Sequence, residues 1–181
     1  MHLRPVSILD ILEQLGISRA SLAARGLREY PEASGLEVAE IGHDGREYLL
    51  VPPAAAAWRR LKAAAWADGI PVYLASAYRS IARQTEIIRG KLDAGGQIDE
   101  ILMLCAPPGF SEHHSGRAVD IASPDAPELE VEFEQTAAFE WLTRHTQRFG
   151  FSLSYPRGNA AGYQYEPWHW CFNEAATLKS G

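Results

Sequence analysis

The alternation of hydrophobic and polar positions predicts two short helices and a β-hairpin in the first fifty residues. Residues 7–15 repeat apolar positions with the period of an amphipathic helix, with Ser7 as N-cap and Asp10 three positions on, as in a capping box. A second short helix is predicted over residues 19–25. Two alternating apolar runs flank an Asp-Gly pair at 44–45, which indicates a hairpin turn. We expect no catalytic residue in this part of the chain.

Helices and strands alternate through the rest of the sequence. Further helices are predicted at residues 53–68, 80–92, 98–104 and 133–149. A β-rich run, PVYLASAYRS, separates the first two, and the end of the chain has the pattern of two strands joined by a loop rich in Pro, Gly and Asn. This order predicts the α+β class, with a small, mainly antiparallel sheet flanked by helices. We expect residues 1–53 to form an appendage and residues 54–181 to form the catalytic domain.

Composition and charge narrow the classes of function. The chain has 181 residues, is 46% hydrophobic and carries a net charge of -6, with scattered basic residues, so neither nucleic acid nor an anionic membrane is an expected partner. Pro5, Asp10 and Glu13 interrupt the start before a signal-peptide core can form, and no run is long enough to span a membrane. We therefore expect a cytoplasmic protein, or a periplasmic one if a leader precedes this sequence. Cys105 and Cys171 form no CxxC pair and are expected to be free thiols. The sequence contains no indication of an oligomeric state.

The run AVDIA places a carboxylate on an otherwise apolar strand. Period-two alternation sends Val119 and Ile121 to one face and Asp120, between two alanines, to the other. A half-buried carboxylate is costly unless a cation or several hydrogen-bond donors meet it. Asp120 is therefore a candidate metal ligand, and the alternative is an aspartate that caps a turn or pairs with an arginine.

A second candidate group lies in EPWHW near the end of the chain. Proline usually occupies the first position of a strand, which places Glu166 in the approach loop and His169 on the strand face opposite the flanking tryptophans. A bend at Pro167 is needed for Glu166 and His169 to project into the same space. Alone, such a histidine is more often a core residue than a ligand.

Two imidazoles and a carboxylate form a suitable set for catalytic zinc, which takes three protein ligands and keeps a fourth position for water. The third ligand would come from the loop that contains His113 and His114. Adjacent histidines on an irregular loop cannot usually both reach one tetrahedral ion, so one of them is a bystander. The chemistry alone leaves open which one.

These motifs resemble the D-alanyl-D-alanine carboxypeptidases of the vancomycin-resistance type, within the lysostaphin-like and hedgehog-like group of zinc folds. The resemblance covers roughly residues 70–172 and combines S-x-H-x-x-G-x-A-x-D, E-x-x-H and SAYRS followed by a glutamine. The matching residues are Ser111, His113, Gly116, Ala118 and Asp120, then Glu166 and His169, and Gln84 after SAYRS.

The resemblance implies a role for each of these residues. One zinc ion would be held by His113, Asp120 and His169. His114 falls on a variable position of the family pattern, and we expect it to be a solvent-facing loop residue or, alternatively, a contact on the substrate side. Glu166 would be the general base, and Arg79 would stabilise the oxyanion unless it is only a surface arginine of a helix start. The residues that bind the terminal residue of the substrate would be Ser111, Gln84 and Tyr155, unless Ser111 is only a polar loop residue and Gln84 an exposed amide on a helix.

The leading functional hypothesis is a zinc carboxypeptidase that removes a terminal D-amino acid from a peptidoglycan stem peptide or its precursor. One alternative is a peptidoglycan endopeptidase on the same scaffold. Another is a non-catalytic, zinc-containing binding module, although a structural zinc would not need Glu166 beside it. The sequence does not distinguish D,D from L,D specificity.

Overall fold

The computed structural model describes residues 7–174, and these residues form a mixed α/β structure. The helices α1 to α6 are Ile8–Gln14, Arg19–Ala24, Pro52–Ala67, Ile81–Asp93, Ile98–Leu104 and Ala137–His145. The strands β1 to β6 are Glu37–Ile41, Glu47–Leu50, Tyr73–Ser76, Ala118–Ala122, Phe151–Leu153 and His169–Phe172. Short 3₁₀ helices occur at Glu112–Ser115, Val131–Gln135 and Thr146–Phe149. The predicted α+β class is confirmed.

All strand pairs described in residues 7–174 are antiparallel. The strands β1 and β2 form a two-stranded hairpin. The other four form a sheet in the order β3-β4-β6-β5, so β4 and β6 occupy its centre. The predicted small antiparallel sheet is confirmed, and the two strands that carry the candidate ligands are neighbours in it.

Local capping signals set most of the helix ends. At the start of α1, Ser7 and Asp10 form the predicted capping box. The predicted single helix over residues 133–149 is wrong, because Thr136 has an extended backbone there and caps α6. Its side-chain oxygen accepts a hydrogen bond from the Phe139 N–H, so the segment divides into a 3₁₀ helix, α6 and a second 3₁₀ helix.

The main core lies between α3, the central sheet and α6. Its side chains include Trp58 and Leu61 of α3, Val119 and Ile121 of β4, and Leu142 of α6, all of which are fully buried. The β1-β2 hairpin packs on this core. Because Val119 and Ile121 point into the core, the opposite face of β4 is available for the polar site.

A second apolar cluster joins the N-terminal helices to α4 and α5. Leu12 of α1 and Leu22 of α2 pack with Ile88 of α4, Leu102 of α5 and the buried Phe110. Phe110 immediately precedes the SEHHSG loop. This cluster therefore supports that loop on its N-terminal side. No helix within residues 7–174 is long and apolar enough to cross a membrane.

Candidate metal centre and active site

The register of β4 and β6 brings together two of the candidate ligands. Asp120 is the direct cross-strand partner of His169. Directly opposed residues in an antiparallel pair project from the same face, with Cβ atoms about 5 Å apart. The Nδ1 atom of His169 lies 2.9 Å from Asp120 Oδ1, within hydrogen-bond distance. The geometry of the sheet therefore fixes the spacing of these two groups.

A 3₁₀ helix over Glu112–Ser115 positions the third candidate ligand, His113. Ser111 caps this helix, since its hydroxyl oxygen accepts a hydrogen bond from the His113 N–H. The Nδ1–H of His113 donates to the Ala77 carbonyl over 2.6 Å, which leaves Nε2 facing Asp120 Oδ2 at 3.2 Å. The Nε2 atom of His113 is therefore the one available to a metal.

Gly116 ends this 3₁₀ helix in the left-handed region, with φ of 64°. A Cβ atom built at this position would lie 2.8 Å from Leu36 Cδ2 and 3.1 Å from Val51 Cγ1. The Val51 N–H also donates to the Gly116 carbonyl. The loop needs a glycine here both for its backbone conformation and for the close approach of the N-terminal part of the chain.

The three side chains form a group that can hold a metal ion. One ligand atom from each of His113, Asp120 and His169 lies within 4.8 Å of the others. All three residues are buried, with exposures of 2%, 5% and 3%. Two imidazole nitrogens and a carboxylate oxygen are donors that suit zinc and leave a fourth position open.

The three side chains of the metal-free group shift one another's pKa values. Burial alone would raise the pKa of Asp120, but His113 and His169 hold that pKa well below its ordinary value. Burial lowers the pKa of His113 despite Asp120. Burial would also lower the pKa of His169, yet hydrogen bonds to Asp120 and Glu112 raise it to about 10. A metal ion bound at Nδ1 of His169 must therefore displace a proton.

Glu166 lies beside this group because the chain turns at Pro167. The Glu166 N–H donates to the Tyr155 carbonyl, and the Glu166 carbonyl accepts from the His169 N–H. The Glu166 carboxylate lies 3.8 Å from His169 Nδ1. Burial raises the pKa of Glu166 to about 7, although His169 opposes the rise. The predicted bend at Pro167 is present, and β6 begins at His169 rather than at Trp168.

A cleft of about 510 Å³ opens onto the group, and the remaining predicted site residues line it. They are Arg79, Gln84, Ser111 and Tyr155. Gln84 and Ser111 are buried, at 1% and 2% exposure. The ring of Tyr155 stacks on that of His169 with centroids 4.7 Å apart. Every residue predicted to be a metal ligand, a catalytic group or a substrate contact therefore borders one cavity.

The prediction of a solvent-facing His114 is wrong. His114 is fully buried. Its Nδ1–H donates to the Arg79 carbonyl over 2.6 Å, and its Nε2 accepts from the Gly109 N–H at 3.1 Å. The tight 3₁₀ turn directs adjacent histidine side chains to different sides, so His113 faces Asp120 and His114 fastens the loop to the end of the β3 segment.

Replacement of His114 by alanine is expected to destabilise the protein without removing a metal ligand. The Arg79 carbonyl and the Gly109 N–H would both lose a buried partner, at a cost of about 1–3 kcal/mol for each unsatisfied group. Chemical denaturation should therefore detect a lower free energy of unfolding, and elemental analysis should find wild-type zinc content. The matched control is His43→Ala, at an exposed position. Loss of zinc in the folded His114→Ala variant would contradict the assignment.

Glu112 is a residue of the site that the sequence reasoning missed. Its Oε2 atom lies 2.9 Å from His169 Nε2. The Glu112 carboxylate also accepts hydrogen bonds from Tyr30 at Oε1 and from Ser154 at Oε2. The motif alone does not reveal this role, because a residue next to a ligand can point in any direction. Nothing in the sequence links Tyr30 to Glu112 either, since 82 residues separate the two.

A buried His-Asp-His group, with a carboxylate beside it at the base of a cleft, is the arrangement of a metal-dependent hydrolase. Comparison with protein families agrees with this class. The VanY family model, described as D-alanyl-D-alanine carboxypeptidase, matches residues 47–175. The chain therefore belongs to the VanY family.

One curated relative is similar to this chain in sequence. A D-alanyl-D-alanine carboxypeptidase of Enterococcus faecalis (strain ATCC 700802 / V583) is 35% identical over 126 residues, which cover 63% of this chain and 45% of that protein. The chain thus spans less than half the length of this relative.

Two solved structures are similar over most of the chain. The LdcB LD-carboxypeptidase is 30% identical, with a TM-score of 0.71, covering 81% of this chain and 72% of the other. A vancomycin-resistance D,D-pentapeptidase VanY mutant in complex with Zn(II) is 29% identical, with a TM-score of 0.63, covering 84% and 89%. The hedgehog-like carboxypeptidase fold implied by the motifs is confirmed.

Proposed function

We propose that this protein is a zinc-dependent carboxypeptidase that hydrolyses the terminal D-amino acid from peptidoglycan stem peptides or their precursors. One observation carries the proposal: a second carboxylate, Glu166, lies 3.8 Å from the metal-facing nitrogen of His169 inside a cleft. A metal site with a purely structural role needs no such group. Membership of the VanY family supports the same reaction.

The ligands of the zinc ion would be His113 through Nε2, Asp120 through its carboxylate and His169 through Nδ1. When bound, zinc supplies Lewis-acid activation of water and of the scissile carbonyl group. The donor set fits the ion, because it combines neutral nitrogen ligands with one anionic oxygen ligand in a buried place.

Glu166 acts as the general base and then as the general acid. Its carboxylate lies in the cleft beside the metal group, where it can accept a proton from the attacking water and return it to the leaving amine. The turn at Pro167 and the hydrogen bond to the Tyr155 carbonyl hold Glu166 in place for both transfers.

Arg79 and Ser111 supply donors for the oxygen atoms of the substrate. Within residues 7–174 the buried Arg79 Nε has no hydrogen-bond partner, so the guanidinium keeps donor capacity for the oxyanion that develops on the scissile carbonyl. The Ser111 hydroxyl accepts from the His113 N–H, which leaves its own hydrogen free to donate to a terminal carboxylate.

Gln84 and Tyr155 define the subsite for the terminal residue. The Gln84 Nε2 donates to the Ala106 carbonyl over 2.6 Å, and Oε1 has no partner within residues 7–174, so this oxygen can accept an N–H of the substrate. Tyr155, stacked on His169, borders the same space. Together with the Ser111 donor for a terminal carboxylate, this subsite would select a chain end over an internal peptide bond.

Peptide hydrolysis followed by mass spectrometry tests this function. The zinc-loaded protein is incubated with a stem pentapeptide ending in D-Ala-D-Ala, with the tetrapeptide, and with the pentapeptide carrying a C-terminal amide. We expect loss of a single terminal D-alanine from one or both free acids, and slower cleavage of the amide by roughly 10- to 100-fold, since hydrogen bonds to charged groups are worth about 1.5–3 kcal/mol.

The two free acids separate D,D from L,D specificity. Internal cleavage, or equal cleavage of acid and amide, would instead identify an endopeptidase, and no cleavage of any peptide would reject the proposal.

A further inference from the structure

We propose that Glu112 is a positioning residue that fixes the orientation of the metal ligand His169, and that Tyr30 and Ser154 hold Glu112 in place for this purpose. The inference rests on the proposed zinc site. It assigns a role in that site to a residue that is not itself a ligand, and to a tyrosine in the N-terminal part of the chain.

The two ring nitrogens of His169 face different carboxylates. Nδ1 faces Asp120 Oδ1 at 2.9 Å and Glu166 Oε2 at 3.8 Å, and it is the nitrogen on the metal side. Nε2 lies 2.9 Å from Glu112 Oε2, on the opposite edge of the ring. Glu112 therefore contacts the edge of the His169 ring that faces away from the metal side. It does not belong to the group formed by His113, Asp120 and His169.

This contact decides which nitrogen of His169 is free to bind a metal. Both ring nitrogens lie 2.9 Å from a carboxylate, but Asp120 is itself a proposed metal ligand, so the single N–H of a neutral imidazole stays at Nε2, where Glu112 accepts it. The lone pair of Nδ1 then points at the metal position. An anionic acceptor also makes the imidazole a stronger donor toward the metal and holds the plane of the ring.

The two histidine ligands are oriented by different means. The Nδ1–H of His113 donates to a backbone carbonyl, that of Ala77, so the acceptor behind the metal-facing Nε2 of that ring belongs to the backbone. Within residues 7–174 both ring nitrogens of His169 face side-chain carboxylates rather than a backbone carbonyl, so the Nε2 side of this ring depends on the Glu112 side chain. A flexible glutamate can perform this role only if its own rotamer is fixed.

Two hydroxyl groups fix the Glu112 carboxylate. Ser154 Oγ donates to Oε2 over 2.6 Å, and the Tyr30 hydroxyl donates to Oε1 at 3.3 Å. Glu112 is largely buried, with 14% of its side chain exposed. His169 Nε2 lies 2.9 Å from the same Oε2 atom, so three groups surround the carboxylate and hold its rotamer.

The backbone around Tyr30 is fastened to the same loop. The Tyr30 N–H donates to the Gly109 carbonyl over 2.7 Å, and the Ala33 N–H donates to the His114 carbonyl over 2.8 Å. The segment 30–33 thus crosses the loop that carries Glu112 and His113. It precedes residue 47, where the match to the VanY family model begins. The N-terminal part of the chain therefore contributes to the support of the metal ligand.

Zinc affinity of Glu112 variants tests the inference without any peptide substrate. Glu112→Asp keeps the charge but shortens the side chain, whereas Glu112→Gln keeps the length and an acceptor oxygen. Competition with a chromophoric chelator should show a 10- to 100-fold weaker affinity for zinc in Glu112→Asp, the range typical of lost outer-shell partners. Glu112→Gln should keep most of the wild-type affinity for zinc. Co(II) absorption spectra should report an altered coordination environment only in Glu112→Asp.

Ser154→Ala provides a milder test that leaves Glu112 itself intact. We expect a several-fold loss of zinc affinity, and the matched control Ser152→Ala, at an exposed position on β5, should bind zinc as the wild type does. A merely structural role would lower the melting temperature and leave zinc affinity and the Co(II) spectrum unchanged. Wild-type affinity in folded Glu112→Asp, or in Ser154→Ala if the Glu112 variants do not fold, overturns the inference. A wild-type protein that binds zinc but cleaves no peptide would reject the proposed function alone.

Discussion

Glu166→Gln is expected to lower turnover of a stem peptide by roughly 100- to 10,000-fold, the usual contribution of a positioned general acid-base group. The amide has nearly the shape of the carboxylate but cannot accept the proton of the attacking water. The effect should appear in kcat, because proton transfer belongs to the chemical step rather than to substrate binding. Glu166 is not one of the three residues of the metal group, so zinc content should match that of the wild type.

The comparison variant is Glu100→Gln, which makes the same substitution at an exposed position of α5. It should leave both kcat and zinc content unchanged. Full activity in Glu166→Gln would remove Glu166 from the reaction. Loss of zinc together with activity would instead mean that Glu166 helps to hold the ion.

The parts of the fold that could be predicted from the sequence are those with strong local signals. The capping box at Ser7 and the Asp-Gly hairpin turn each depend on interactions among neighbouring residues, and both are present. The predicted helix over 133–149 failed for a local reason as well. Its apolar spacing suggested continuity, but Thr136 prefers to cap a new helix with its own side chain.

The candidate site could be assembled from the sequence only in outline. Alternation in AVDIA places Asp120 on the face opposite Val119 and Ile121, and β4 has that arrangement. The sequence does not specify that β4 and β6 are adjacent, or that their register sets Asp120 against His169. The resemblance to a known family supplied that information in place of a physical derivation.

The misassigned and missed residues depend on contacts between distant parts of the chain. His114 has the sequence context of an exposed loop residue, and its burial comes from the end of β3 and from Gly109. Glu112 and Tyr30 meet only after the N-terminal segment has crossed the loop. Loop side chains have no hydrophobic period, so their direction cannot be inferred without the tertiary structure.

Asp120→Asn is expected to abolish zinc binding at concentrations that saturate the wild type. Asparagine keeps the size of the side chain but removes the only anionic oxygen ligand of the proposed set. Changes beyond the ligands already cost about 10- to 100-fold in metal affinity, so the loss of a charged ligand should exceed this range. Wild-type protein with zinc at about 100 times its Kd gains about 2.7 kcal/mol of stability, and this zinc-dependent gain should vanish in the variant together with activity.

Thermal unfolding with and without zinc separates this effect from simple destabilisation. The metal-free Asp120→Asn protein should itself be less stable, because Asp120 Oδ1 accepts a hydrogen bond from His169 Nδ1 in a buried place. The decisive quantity is therefore the shift that zinc produces in each protein, not the melting temperature alone. Asp125→Asn, in the exposed loop after β4, is the matched control and should keep the full shift. An undiminished shift in Asp120→Asn would mean that the ion binds elsewhere, because a metal held between the two histidines alone would lack the negative charge that compensates its burial.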